Sequence, residues 1–355
     1  MKTILSCLTA FGLGLSLVCC PVVAAEPSVT DGSLWLTVPG NQNGDLPGKG
    51  KKIVLVSGDE EYRSEEALPM LAKILADKHG FDCVVLFSIN PETKTVDPNY
   101  TSNTPGLEQL EDADGLILFI RMRSLPDDQM EHFEKFFRSG KPFIALRTST
   151  HPFAYPGNSK SKYKDWNWNN GGDKWKGGFG LQVIGETWHS HHGVHNGQAT
   201  RGVIPDAAKS SPILKGVSDV FGPTDVYGVV HLPETANVLM LGQVVDGMKP
   251  TDPPLAGSKN EPMMPLVWTK DYQLDGGKQG KLLCSTIGSA VDFECEDLRR
   301  LVINATYWMI DLESKIPEKA DVELPSGYKP SYFGFKNEPG YFSKKMIKPT
   351  DLLPQ

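Results

Sequence analysis

The densest chemistry-bearing stretch of the chain is Glu186-Thr187-Trp188-His189-Ser190-His191-His192-Gly193-Val194-His195, where half of the eight histidines fall in seven consecutive positions. Neutral imidazole is the commonest metal-ligating side chain, so His189, His191 and His192 are candidate ligands for a divalent ion such as Zn²⁺, Mn²⁺ or Fe²⁺, with Glu186 beside them. The spacing matches neither the helical HExxH motif nor a cysteine-based zinc site, so it does not name a metal. The competing reading is that one or two of these histidines hydrogen-bond a ligand or the loop backbone and the rest face water.

A second group of polar residues follows the apolar runs. Asp59-Glu60-Glu61-Tyr62-Arg63 comes after the first run, Arg121 and Arg123 after a later one, and Arg147-Thr148-Ser149-Thr150-His151 after another. In an open parallel sheet, ligands bind outside the carboxyl ends of the strands, so these loops are expected to line one crevice. Carboxylates, guanidiniums, hydroxyls and an imidazole together suit a ligand rich in hydroxyl groups. Asp225 and Tyr227 add a further acidic and phenolic pair. Glu60 and Glu61 would equally suit the N-terminus of the helix that follows them, and Asp292 the start of the last helix. Ser149 near His151 invites a serine-nucleophile reading, but the G-x-S-x-G elbow is absent and no glycine between Arg147 and Thr150 eases a sharp turn. No glycine-rich dinucleotide fingerprint or P-loop occurs, so a nucleotide cofactor is not expected.

The elements that must position these residues are legible as alternating apolar runs and amphipathic segments. Strands are expected at Ile53 to Ser57, Cys83 to Phe87, Gly115 to Ile120, Pro142 to Leu146, Val226 to Val230, Val238 to Val245, Pro265 to Trp268 and Lys281 to Ile287. Helices are expected from Ser64 to Leu75, Asp127 to Arg138 and Asp297 to Ile310. Such alternation predicts an α/β fold with a mostly parallel sheet covered by helices on both faces. Between His151 and Thr224 the pattern gives way to a long insertion carrying Trp166, Trp168, Trp175 and Trp188, which argue for order. Residues 26–50 read as an extended lead-in, 51–315 as the α/β domain, and 316–355 as a proline-rich extended tail lying on its own domain or on a second copy in a homo-oligomer.

With 36 basic and 43 acidic residues and a formal charge of −7, the chain lacks the basic surface that holds polyphosphate, so no nucleic-acid partner is expected. Residues 1–25 read as a cleavable secretory signal: Lys2 starts it, Ile4 to Val18 is apolar, and Val23-Ala24-Ala25 offers a cleavage site after Ala25. A secreted or periplasmic protein without an integral membrane span in the mature chain follows. Three cysteines would remain, Cys83, Cys284 and Cys295, too few for a disulfide framework.

Several of these motifs carry a resemblance. Gly58-Asp59-Glu60-Glu61-Tyr62-Arg63-Ser64-Glu65-Glu66, Ala145-Leu146-Arg147-Thr148-Ser149-Thr150-His151, Gly177-Gly178-Phe179 leading to Gly185-Glu186-Thr187-Trp188, His191-His192-Gly193 and Pro223-Thr224-Asp225-Val226-Tyr227 resemble the secreted ThuA-like (trehalose utilisation) proteins. The resemblance spans about Lys52 to Ile310. It implies a flavodoxin-like fold of the class I glutamine amidotransferase type and an association with disaccharide or keto-sugar metabolism. Amidotransferases of that type carry a nucleophilic cysteine on a sharp turn after a strand; none stands at a strand end here, so amidotransferase activity is not expected. Related sequences often show a histidine where Arg147 stands and a glycine-histidine pair where Gly288-Ser289 stands.

The expected function is therefore binding of a carbohydrate above the sheet and acid-base action on it, as a hydrolase or isomerase. Glu60 or Glu61 would be the base, and His191 or His192 its acid partner or a metal ligand, with Asp225 beside them. Asp59, Tyr62, Arg63, Arg121, Arg123, Arg147, Ser149, His151, Glu186, Trp188 and Tyr227 would bind the ligand. The alternatives are a non-catalytic sugar-binding or interaction module and a metal-dependent hydrolase.

Overall fold

Within Lys52–Gly58, the run Ile53-Val54-Leu55-Val56 is unbroken apolar because both of its faces are covered. Ile53 and Leu55 point into one hydrophobic cluster and Val54 and Val56 into another, as the two-residue period of a strand requires. The same split holds for Ile117 and Phe119 against Leu116, Leu118 and Ile120, and for Ile144 and Leu146 against Phe143 and Ala145.

The computed structural model describes residues 33–355; the expected leader and the first part of the lead-in lie outside the described residues. In chain order the elements are β1 (Trp35–Val38), β2 (Lys52–Gly58), α1 (Ser64–His79), β3 (Asp82–Leu86), the small hairpin β4 (Ile89–Asn90) and β5 (Thr95–Val96), β6 (Gly115–Ile120), α2 (Asp127–Arg138), β7 (Phe143–Leu146), β8 (Thr200–Val203), β9 (Phe221–Gly222), β10 (Asn237–Val244), β11 (Met264–Tyr272), β12 (Gly280–Ser285) and α3 (Glu296–Met309). One ten-stranded sheet runs β1-β3-β2-β6-β7-β12-β11-β10-β8-β9. Its middle, β3-β2-β6-β7-β12, is parallel, and among these strands the order is second, first, third, fourth, fifth. That is the flavodoxin-like order, with its switch point between β2 and β6.

The sheet is less parallel than the sequence reading expects. β11, β10, β8 and β9 extend one side in antiparallel pairs, and β1 adds an antiparallel edge on the other. Apolar patterning shows that a run is a strand, but not which way it runs. The lead-in thus contributes an edge strand, and Val226 to Val230 forms no strand: its part in pairing is a single bridge between Tyr227 and His191.

Helices cover both faces. α1 and α3 pack with one cluster, whereas α2 packs with the other through Met130, Phe133, Phe136 and Phe137. Each such buried phenylalanine contributes about 1.5–3 kcal/mol relative to exposure. The insertion docks on α2: Phe179 lies 4.9 Å from Phe137, ring centre to ring centre, and Trp166 5.1 Å from Phe179. Trp166 and Trp175 therefore serve this aromatic layer. A turn at Gly180–Ile184 seats the insertion against the end of β7 so closely that a Cβ on Gly180 would lie 1.8 Å from the Thr150 carbonyl oxygen. Only glycine fits there. Among the described residues, no helix is long and apolar enough to cross a membrane.

Candidate active site

The turn after β2 is organised by Asp59. Its Oδ1 accepts the backbone N–H of Glu61 at 2.7 Å and of Tyr62 at 2.6 Å, and its Oδ2 accepts the Thr148 hydroxyl from the end of β7. Fully buried and committed in this way, Asp59 shapes the loop. The turn sends the next two carboxylates in different directions. Glu60 is clamped by Arg121 on one oxygen and Arg123 on the other. Arg123 is buried and also donates to the Pro98 carbonyl at 2.8 Å, so the trio ties β2 to β6 and Glu60 is a structural partner. Glu61 points toward the insertion, where its Oε1 lies 3.6 Å from His195 Nε2 and its Oε2 lies 3.5 Å from Arg121 Nε. Burial, and then the Asp59 charge, raise the Glu61 carboxyl above the usual range, while Arg121, Arg147 and His195 pull the other way.

β7 ends in a sharp turn after all. Arg147 adopts φ 39°, in the left-handed region, without a glycine to relieve it. Its guanidinium carbon sits 4.1 Å from the Tyr62 ring centre and 4.3 Å from the Tyr227 ring centre, sandwiched between two buried phenols. It donates to the Thr286 carbonyl at 2.8 Å and approaches Asp225 Oδ1 at 3.3 Å. The apex of this elbow therefore carries a buried cation rather than a nucleophile. Ser149 lies below it, donating to the Leu118 carbonyl at 2.8 Å and accepting from the Ile120 N–H, so it braces the sheet and faces no ligand.

Asp225 is the centre of the arrangement. It is 1% exposed, and its Oδ2 lies 2.7 Å from His191 Nδ1 and its Oδ1 3.0 Å from His195 Nδ1. Burial would raise its carboxyl, but the hydrogen bonds from the two histidines and the Arg147 charge outweigh it and hold the group well below the usual carboxylate range. An ionised carboxylate only accepts, so both Nδ1 atoms carry protons and each ring has Nε2 left for other partners. The imidazoles lie 4.8 Å apart, centre to centre. Asp292 holds this corner in place: its oxygens accept the Thr224 hydroxyl at 2.7 Å and the N–H groups of Gly288 and Ser289, fixing the residue before Asp225.

Several expected ligands serve other purposes. His192 turns away, with Nε2 2.7 Å from the Lys259 carbonyl, and His189 is exposed beside His231. Glu186 is a buried anchor that accepts the His231 backbone N–H at 2.8 Å and pairs with the His231 ring at 2.7 Å. Arg63 is buried against Glu65 at 3.4 Å and under Phe342. His151 is buried, and burial, followed by the Arg121 and Arg147 charges, pushes its imidazole down, so it stays neutral. Half-buried Trp188 lies 5.8 Å from His191 and 6.0 Å from His151, ring centre to ring centre. It remains within reach of the crevice.

The metal candidates change accordingly. Among the described residues, the three donors that come within 4.8 Å of one another are on His191, His195 and Asp225, and neither His189 nor His192 belongs to that group. These three side chains could hold a divalent ion, with Asp225 shared between it and the Arg147 guanidinium, or form a hydrogen-bonded relay without one. His195 is the site residue that sequence reasoning missed. Its spacing of four from His191 was the available signal, but no periodicity in a loop tells which ring turns inward.

A flavodoxin-like α/β sheet with a carboxylate–histidine centre at the ends of its parallel strands is the class of protein that this fold and site define. No protein-family model and no curated protein matches the chain. Two of the solved structures similar to it are described as ThuA-like. A candidate ThuA-like protein from Bacteroides uniformis ATCC 8492 shares 12% identity over 76% of this chain and 95% of that one, with a TM-score of 0.44. Another, from Parabacteroides merdae ATCC 43184, shares 14% over 81% and 96%, with a TM-score of 0.46.

Proposed function

We propose that this chain is a ThuA-like protein that binds a carbohydrate, a disaccharide or keto-sugar, where β2, β6 and β7 end, and acts on it by acid-base chemistry. The carrying observation is that one buried carboxylate, Asp225, orients His191 and His195 through Nδ1, while Glu61 faces the second ring. His191 is the more exposed of the two and has Nε2 available to a substrate, so it takes up or returns a proton. Glu61 is the second proton carrier, and Arg121 meets the negative charge that develops on a substrate oxygen. Proton transfer by side chains fixed in this way contributes on the order of 10²–10⁴ in rate. The carbohydrate class rests on the motif resemblance and on the mixture of donors and acceptors around the crevice. The secretory leader that the sequence of residues 1–25 resembles favours action outside the cytoplasm.

Replacing Glu61 by glutamine keeps the side chain's size and removes its proton. With trehalose and its keto derivative as probes, Glu61→Gln is expected to lose at least a hundredfold in turnover with affinity within about threefold of wild type. A wild type that binds these sugars and never turns them over would instead make the chain a sugar-binding module.

A further inference from the structure

The tail beyond α3 does more than cover the domain. It is fastened first to the helices, where Arg300 Nε donates to the Ala320 carbonyl, Arg299 Nε to the Val322 carbonyl at 2.8 Å, and His79 Nε2 lies 2.8 Å from the Asp321 carbonyl. It then reaches the N-terminus of α1, where the Ser331 N–H donates to Glu66 at 2.6 Å. From there Tyr332-Phe333-Gly334-Phe335 crosses the site itself. Phe333 is buried 5.5 Å from the Tyr62 ring and 5.4 Å from the His195 ring, the Gly334 N–H donates to the Glu61 carbonyl at 2.8 Å, and the Phe335 ring takes the Arg121 guanidinium carbon at 4.9 Å. Beyond the crossing, the Lys336 carbonyl accepts from Asn99 at 2.9 Å. Gly334, at φ 131°, lets successive phenylalanines land on two different site residues.

Folding accounts for Phe333 but not for its neighbours. Tyr332 is 48% exposed and Phe335 43%, while Val194, next to His195, is 52% exposed. These are three of the five large apolar side chains so exposed among the described residues: Phe335 lies over Arg121, Tyr332 stacks on Phe333 at 4.3 Å, and Val194 precedes His195 in the chain. Exposed apolar surface gathered at a polar cleft marks a ligand-binding edge. Aromatic rings present a flat, weakly negative face, which suits the C–H face of a sugar ring while its hydroxyls meet the polar residues beneath.

We propose that Tyr332 and Phe335 form the aromatic wall of the site, against which a sugar ring packs, so that the tail is a specificity element acting on its own domain. This rests on the carbohydrate reading above. Both side chains are exposed, so Tyr332→Ala and Phe335→Ala are expected to melt within about 2 °C of wild type, as surface substitutions do. Calorimetric binding of trehalose, keto-trehalose and the open-chain polyol sorbitol tests the wall. The expected result is a loss of about five- to tenfold in affinity for the two ring sugars in each variant, larger in the double variant, with sorbitol binding as weakly to the variants as to wild type. Wild-type affinity for the ring sugars in the double variant would overturn the wall alone. A wild type that binds none of the three would overturn both the wall and the carbohydrate reading.

Discussion

Asp225 sets the tautomer of two histidines at once, and the hydrogen bonds from those histidines, with the Arg147 charge after them, keep so buried a carboxylate ionised. The guanidinium has no exposure and is stacked between Tyr62 and Tyr227, with its Nε unpartnered. Arg147→Ala would leave Asp225 without its buried cation and open a gap between two rings. Breaking a buried pair in this way costs about 3–5 kcal/mol, to be read as a lower midpoint in urea unfolding. Arg147→Lys is expected to recover only part of that loss, because an ammonium lacks the planar face that both rings meet. The residue scale is also where the sequence was hardest to read. Glu60 and Glu61 are chemically alike and adjacent, yet one is locked between two arginines and the other faces His195. The difference comes from the Asp59 turn and from partners on β6, which no local pattern reveals. His191 and His192 diverge for the same reason.

At the scale of elements, the start of α1 carries a titrating group independent of the proposed chemistry. Glu65 is buried with Arg63 beneath Phe342, and burial, only partly offset by Arg63, pushes its carboxyl up to about 7. A folded-state value above the unfolded one means that the native state holds the proton more tightly. The stability due to this group is present in full below the ordinary glutamate range, declines as pH rises above about 4.5, and is lost once pH passes about 7. Glu65→Gln is expected to flatten the fall in melting temperature between pH 5 and pH 8; a fall as steep as that of wild type would place the titration elsewhere. The strands and helices themselves were largely legible, since buried parallel strands read as unbroken apolar runs and α2 shows its apolar stripe. β1 was hidden because Trp35-Leu36-Thr37-Val38 is short and stands among turn-forming residues.

On the scale of the whole molecule, the site joins parts that are remote in sequence. β2 supplies Glu61, β6 Arg121, β7 Arg147, the insertion His191 and His195, the approach to β10 Asp225, and the tail Phe333 and Phe335. The parallel strands could be expected to gather the first three, because their carboxyl ends share one edge of the sheet. The arrival of the tail could not, because a proline-rich segment carries no period that points to its partner. The insertion was expected to be ordered, and its tryptophans divide by location: Trp166 and Trp175 in the layer on α2, and Trp168 and Trp188 around His151. The most direct measurement is proton NMR of keto-trehalose in D₂O with wild type and Asp225→Asn, which reads solvent-proton exchange and bond cleavage together. Exchange or cleavage by wild type, reduced at least a hundredfold in Asp225→Asn with binding kept, is the expected result. Wild type that binds the sugar and catalyses neither, or an Asp225→Asn variant as fast as wild type, would contradict acid-base action at this site.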